Sequence, residues 1–339
     1  MRFIKFTYLI IGVGLLALLV LRSDSAAVLN VAGRIGFAIV PVMALYAARV
    51  AVMSFVWSLS LTELPWSPLW LGRILVVRTV GDAINLATPF AQMGGEVIKV
   101  MVLKRRYGIA LGEGAASLIT SRTALVFALV LFLAVGYGLI AGESAIATGY
   151  QWSTGLGLMV FAAAVAGFYL VQRWRLLSRS GALFLRRRLG KLAAGLIATE
   201  DRLLAFYRDH PKRFAVAIAA GFFQWFLGVA TLYVILAAIG HPLGWRELWM
   251  AEAFVQLVRA TTFFVPANLG TQEGAFMLVI GVLGGDPSVG LAAALIRRLP
   301  EVAFIALGLL LGWRYTGHFA YLKEKAPPLE GAEEDPQGQ

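Results

Sequence analysis

The chain has 339 residues, of which 59% are hydrophobic and only 14% charged, and its mean hydropathy is +0.77. Soluble domains carry about a quarter charged residues, so this composition excludes a soluble globular protein and predicts an all-α polytopic membrane protein. Cysteine is absent, which excludes disulfides, thiolate metal sites and cysteine nucleophiles.

The formal net charge of +11 would suggest nucleic acid in a soluble protein. In a membrane protein it reads instead as basic cytoplasmic loops meeting anionic lipid head groups, so no nucleic-acid partner is expected. The three histidines, His210, His241 and His318, lie far apart in sequence. No metal site and no other cofactor are expected.

A helix crosses a bilayer core with about 20 apolar residues. Phe3–Leu21 is the first such run; with Arg2 and Lys5 ahead of it, its alternative reading is a signal peptide. Ile35–Leu61 is the second. Glu113–Ile140 contains the third, and Trp152–Gln172, Phe214–Ile239 and Val289–Trp313 complete about six full spans. Two more apolar regions, near 70–104 and 247–285, are interrupted by Pro and Gly.

Loop charge predicts the orientation. Thr62–Gly112 carries Arg73, Arg78, Lys99 and the run Lys104-Arg105-Arg106, and Arg173–Lys191 is richly basic, whereas Ala141–Gln151 has no basic residue. Six spans with a cytoplasmic N-terminus place both basic stretches inside an inner membrane, together with the C-terminus. Between Lys191 and Lys212, apolar and charged residues alternate at helical spacing, as in an amphipathic helix lying on the membrane surface. The resulting organisation is a first helix and outer loop (1–34), a first repeat (35–172), a basic cytoplasmic segment (173–213), a second repeat (214–313) and a disordered acidic tail (314–339).

The repeat rests on two similar phrases, "INLATPFAQMGGEVIK" and "TTFFVPANLGTQEGAF". Pro266 and Glu273 stand 177 residues after Pro89 and Glu96, and Arg298 stands 176 after Arg122. Glycines flank each acid (Gly94 and Gly95; Gly270 and Gly274), an amide accompanies each (Gln92; Gln272), and an arginine stands upstream (Arg78; Arg259). One gap relates the two halves, so each is one unit of an internal repeat of about 100 residues.

The first broken region follows a descending span and the second a rising one, so the two copies are predicted to be inverted, each with a re-entrant broken-helix hairpin. Inverted repeats with interrupted helices point to a transporter whose site lies between the repeats. Proline ends a helix because it lacks the N–H, and the glycines permit a tight reversal. The next short helix begins near Glu96 or Glu273 with unpaired N–H groups that attract anions. Charged residues at this depth are costly and mark a pathway or a partner.

These phrases, with "SRTALVF" and "LIRR", resemble the paired signatures of the lysylphosphatidylglycerol synthase transmembrane-region family, also called flippase-like or UPF0104 proteins. Gly-Gly-Glu in one copy and Leu-Gly-x-Gln-Glu-Gly in the other are most similar to the hopanoid-biosynthesis-associated branch. The resemblance covers about Ile35 to Trp313 and implies translocation of a lipid between leaflets. It does not imply lysyl transfer, which needs a soluble domain that this sequence lacks. One departure stands out: Pro266-Ala267-Asn268 has alanine where glycine commonly follows the proline, so that turn is expected to differ in shape.

The candidate substrate-binding residues are therefore Arg78, Asn85, Gln92, Gly94, Gly95, Glu96 and Arg122 in the first repeat, and Arg259, Asn268, Gly270, Gln272, Glu273, Gly274 and Arg298 in the second. Pro89 and Pro266 are the helix breaks. Glu96 and Glu273 either contact a head group or carry a coupling proton, or they pair with Arg122 and Arg298 to fasten each hairpin. Arg78 and Arg259 read either as a phosphate clamp or as arginines snorkelling to the interface. Arg49 either faces the cavity or reaches Glu63. Asn85 and Asn268 are expected to satisfy freed backbone groups.

The substrate classes this supports are an anionic phospholipid, a polyprenyl phosphate or a hopanoid-type lipid, with lipid-biosynthesis enzymes as possible partners. An intramembrane lipid-modifying transferase and a scaffold for such enzymes are the competing functions. No G-x-x-x-x-G-K-[ST] motif is present, so ATP is not the expected energy source.

Overall fold

A computed structural model describes residues 30, 33–87, 94–141, 148–174, 190–262 and 265–324. The predicted first span Phe3–Leu21, the loop holding Pro89 and Gln92, much of the basic stretch 173–191 and the end of the tail lie outside the described residues.

Every regular element described is helical. After a 3-10 turn at Gly36–Ala38, α1 runs Ile39–Ser60, α2 Pro68–Ala87, α3 Gly94–Tyr107, α4 Leu111–Ala141 and α5 Thr148–Arg173. Then come α6 (Gly190–Asp209), α7 (Pro211–Ala238), α8 (Trp245–Thr261), a 3-10 turn at Pro266–Asn268, α9 (Thr271–Val282) and α10 (Pro287–Glu324). Among the described residues, four stretches are long and apolar enough to cross a membrane: Gly36–Ser60, Leu111–Leu139, Gly155–Arg173 and Pro211–Ala238.

Two sequence expectations shift. The sixth predicted span is a helix, α10, but it is not one of those four; it carries Arg297, Arg298 and Glu301 within the predicted stretch. It also continues to Glu324, past the boundary at 313, and holds Pro300 within its length.

Both broken regions resolve into one longer and one shorter helix. At 1.5 Å per residue, α3 is about 21 Å long and α9 about 18 Å, well short of an apolar core about 30 Å thick. α3 packs on α2, and α9 packs on α8.

The packing between the two halves is reciprocal. α1 lies along α7, α10 packs on α2, and α4 packs on α8. Helices in lipid gain little from burying apolar surface against each other, so small residues that permit close contact set these crossings. Gly308 of α10 rests on Thr79 and Ala83 of α2, and Gly136 of α4 rests on Ala253 and Trp249 of α8. Gly221 of α7 meets Leu125 and Ala128 of α4 in the same way.

The largest apolar core joins α4, α7, α8, α9 and α10. At its centre Phe132 stacks between Trp225 and Trp249, with ring centroids 6.1 and 4.9 Å apart. A second core ties α1 and α2 to α3 and the start of α4. These two cores fix where the polar faces of α2, α8 and α10 meet.

Candidate functional site

α2 carries Arg78, Asp82 and Asn85 along one face, at the i, i+4, i+7 spacing that aligns side chains on a helix. α3 brings Glu96 and Lys99 against that face. Asp82 accepts from Lys99 Nζ at 2.6 Å and pairs with Arg78 Nε at 3.3 Å. Glu96 Oε1 receives Lys99 Nζ at 2.9 Å and Arg122 of α4 at 2.5 Å. One chain of charge thus runs Arg78–Asp82–Lys99–Glu96–Arg122 across three helices.

The start of α3 explains the glycines. Asn85 Oδ1 accepts the Gly95 N–H at 2.6 Å, and its amide donates to Glu96 Oε1 at 3.4 Å. Asn85 therefore satisfies a freed donor of the short helix, as the sequence suggested. A methyl group at Gly95 would collide with the Gly81 carbonyl and with Asn85, and one at Gly81 would strike the Lys99 stem. Gly94 opens α3.

The second half repeats the outline with different parts. Arg298 of α10 ion-pairs with Glu273 and donates to the carbonyls of Ala267 at 3.4 Å and Asn268 at 3.3 Å. Glu273 also accepts the Gly270 N–H at 2.8 Å, closing the start of α9. Gly270 is required there because its φ is +78°. The Gly274 N–H donates to the Gly270 carbonyl at 2.9 Å, the first turn of α9. Asn268 Oδ1 accepts from Thr262 at 3.3 Å. Gln272 is buried, and neither atom of its amide has a partner among the described residues.

Pro266 does not end the preceding helix: α8 stops at Thr261, and Pro266 opens the 3-10 turn that follows. Ala267 and Asn268 stand in the left-handed region, at φ 53° and 49°. Side chains other than Gly rarely sit there, which gives the alanine departure a backbone consequence.

Four charged residues central to the site were not singled out from the sequence: Asp82, Lys99, Glu252 and Arg297. Arg297 holds Glu252 of α8 through two hydrogen bonds at 2.5 and 2.7 Å, and Gln256 adds a third at 2.7 Å. Gly228 of α7 makes room for this pair. The available signal was helical spacing: Glu252, Gln256 and Arg259 repeat on α8 the i, i+4, i+7 stripe of α2. Arg297 was hidden in the doublet Arg297-Arg298.

The arginines read as a clamp differ from each other. Arg78 is buried and committed to Asp82 and to the carbonyl of Met53, at 3.3 Å. Arg259 is partly exposed and has neither ion pair nor hydrogen bond to a described residue. Arg49 turns away from Glu63; its Nε donates to Gln224 Oε1 of α7 at 3.3 Å, with Trp225 5.9 Å away. Glu63 instead lines a shallow pocket together with Glu113 and Arg202.

Tyr46 of α1 reaches across to the second half, its ring meeting Phe304 of α10 edge-on with centroids 5.0 Å apart. The bases of this cluster are Arg49, Arg78, Lys99, Arg122, Arg259, Arg297 and Arg298; the acids are Asp82, Glu96, Glu252, Glu273 and Glu301. Seven bases against five acids leave an excess of two positive charges among the described residues. The cluster is open at one end. Arg122 is 49% and Asp82 39% exposed, whereas Glu273 is 0% and Arg298 15% exposed.

No curated protein and no solved structure matches the chain. The family described as the lysylphosphatidylglycerol synthase TM region matches residues 7–308, a stretch that holds both broken regions, both glutamate–arginine pairs and the charge cluster between them. The chain is a multi-pass membrane protein that belongs to this lipid-handling family.

Proposed function

We propose that the protein is a lipid translocator of the inner membrane that moves an amphipathic lipid between leaflets by alternating access. In this reading the two halves are inverted repeats, α2–α3 and α8–α9 are re-entrant hairpins entering from opposite faces, and both termini are cytoplasmic. The head group occupies the polar cluster while the acyl or isoprenoid tail stays in the bilayer. An anionic phospholipid, a polyprenyl phosphate and a hopanoid-type lipid are the candidate substrates, the last suggested by the hopanoid-like form of the motifs. Enzymes of lipid biosynthesis are the candidate partners.

The observation that carries this is the unequal exposure of two corresponding ion pairs. Glu96–Arg122 and Glu273–Arg298 each fasten the start of a short helix, yet the first is accessible and the second is sealed. A carrier that opens to one side at a time has one gate of each kind in any single state. The reciprocal packing of α10 on α2 and α4 on α8 supports two halves able to rock about α1 and α7.

A lipid-modifying transferase is the competing reading. It needs a free general base, and each acid of the cluster lies within 4.0 Å of a basic partner, which favours transport. The test is leaflet exchange of labelled lipids in proteoliposomes. Exchange is expected in the wild type and lost in Glu96→Gln with Glu273→Gln; equal exchange in both would remove these acids from the mechanism. Product formation from a lipid donor by the purified protein would reverse the choice in favour of the transferase.

A further inference from the structure

Away from the charge cluster, a second site lies where two spanning helices end. α1 stops at Ser60 and α7 begins at Pro211, each the boundary of a stretch long and apolar enough to cross a membrane. The chain from α1 into α2 borders a cavity there of about 310 Å³, within the range of about 300–1,000 Å³ that holds small ligands. Phe55, Leu64, Trp66, Trp70, Leu71 and Ile74 form its apolar walls. The two serines of the lining are engaged by neighbouring backbone. Ser58 donates to the Phe55 carbonyl at 2.7 Å, and Ser67 accepts the Trp70 N–H at 3.3 Å. The interior therefore suits a hydrocarbon chain.

Each tryptophan of the wall carries an arginine. The Arg213 guanidinium of α7 lies 5.6 Å from the Trp66 ring centroid, and that of Arg73 lies 4.7 Å from Trp70 and 5.5 Å from Tyr107. A guanidinium over a ring spends its face there and keeps its N–H edge for acceptors. Neither arginine has an ion pair or a hydrogen bond with a described residue. Arg213 Nη1 is buried without an acceptor, whereas buried donors are ordinarily paired. The acids at this end of the molecule are placed otherwise. Glu63, Glu113 and Asp209 line a separate pocket, and Asp209 holds Arg208 at 2.7 Å.

We propose that this is a seat for one anionic phospholipid of the adjacent leaflet. A chain of the lipid enters the cavity and its phosphate meets Arg213, with Arg73 adding positive charge at the Trp70 wall. Charge complementarity selects the head group. Phosphatidylglycerol brings a phosphate and no cation, whereas a choline head group brings a cation that offsets the gain. Tryptophan and arginine at the membrane boundary fit that depth. The seat shares no lining residue with the charge cluster, so it stands or falls independently of transport.

The test is native mass spectrometry of the full-length protein in detergent, with dioleoyl phosphatidylglycerol and dioleoyl phosphatidylcholine as probes. The first phosphatidylglycerol should be retained roughly twentyfold more tightly than the first phosphatidylcholine. Arg213→Gln and Arg73→Gln should each lower that preference about fivefold, the size of one basic contact with an anionic lipid. Ser58→Leu fills the cavity with both charges intact and should weaken retention of phosphatidylglycerol. Lys212→Gln removes an exposed neighbouring charge and should leave the preference in place.

Equal retention of the two lipids overturns the seat. So does a loss in Lys212→Gln as large as that in Arg213→Gln, which would mean general surface charge. Unchanged retention in Ser58→Leu overturns the placement of the chain in the cavity. Where Arg213→Gln fails to fold, Arg73→Gln and Ser58→Leu decide.

Discussion

Arg298 closes on Glu273 and, with the same guanidinium, reaches the carbonyls of Ala267 and Asn268, so one cation fastens both the start of α9 and the turn before it. Its counterpart Arg122 makes one ion pair with Glu96 and remains half exposed, and Glu96 keeps Lys99 as a second partner. Corresponding residues of the two halves thus hold their short helices with very different security.

This inequality predicts unequal losses. Arg298→Gln strands a fully buried carboxylate, and breaking a buried pair costs about 3–5 kcal/mol. Arg122→Gln gives up a solvent-screened pair, worth under about 1 kcal/mol. Thermal unfolding in detergent should show a large fall in Tm for Arg298→Gln and a small one for Arg122→Gln. Equal falls would mean that the two ion pairs are equally sealed.

The turn at Pro266–Asn268 offers a gain. Ala267 adopts φ 53°, a conformation costing an L-residue about 1–2 kcal/mol. Glycine removes that strain but adds about 0.4–1 kcal/mol of unfolded-state entropy. Ala267→Gly should therefore raise stability by about 0.5–1 kcal/mol, read as a higher Tm in the same assay. A fall in Tm would show that the alanine methyl contributes packing that outweighs the strain.

The Glu252–Arg297 pair separates charge from volume. Arg297→Met leaves Glu252 buried and unpaired, with an expected loss of about 3–5 kcal/mol. Adding Glu252→Leu should recover most of it, because replacing both members by apolar groups is often neutral or stabilising. A double variant no more stable than Arg297→Met would show that the pair is held in place by the rest of the cluster rather than by its partner alone.

Glycine contacts give a fourth check. Gly95→Ala drives a methyl into the Gly81 carbonyl and Asn85, and such overpacking costs about 1–3 kcal/mol or more. Gly138 on α4 has open space around it, so Gly138→Ala should gain about 0.5–1 kcal/mol from helix propensity. If both alanines behave alike in thermal unfolding, the close approach of α2 and α3 is not as drawn.

The sequence by itself determined most of the described helices and offered the two glutamate–arginine pairs as one of two readings. Apolar runs of spanning length are a property of the local chain, and Ile39–Ser60 and Pro211–Ala238 fall where those runs do. The pairs Glu96–Arg122 and Glu273–Arg298 were legible because a repeated spacing reports a repeated structure. Asn85 was legible too, since a broken helix frees an N–H that something must accept. Only the tertiary structure could decide which charges cancel. Asp82 and Lys99 are 17 residues apart, Glu252 and Arg297 are 45 apart, and Arg49 meets Gln224 across 175. Ionic contacts act over a few ångströms in space regardless of distance along the chain. Which acid each arginine meets is therefore a property of how α1, α7, α8 and α10 cross.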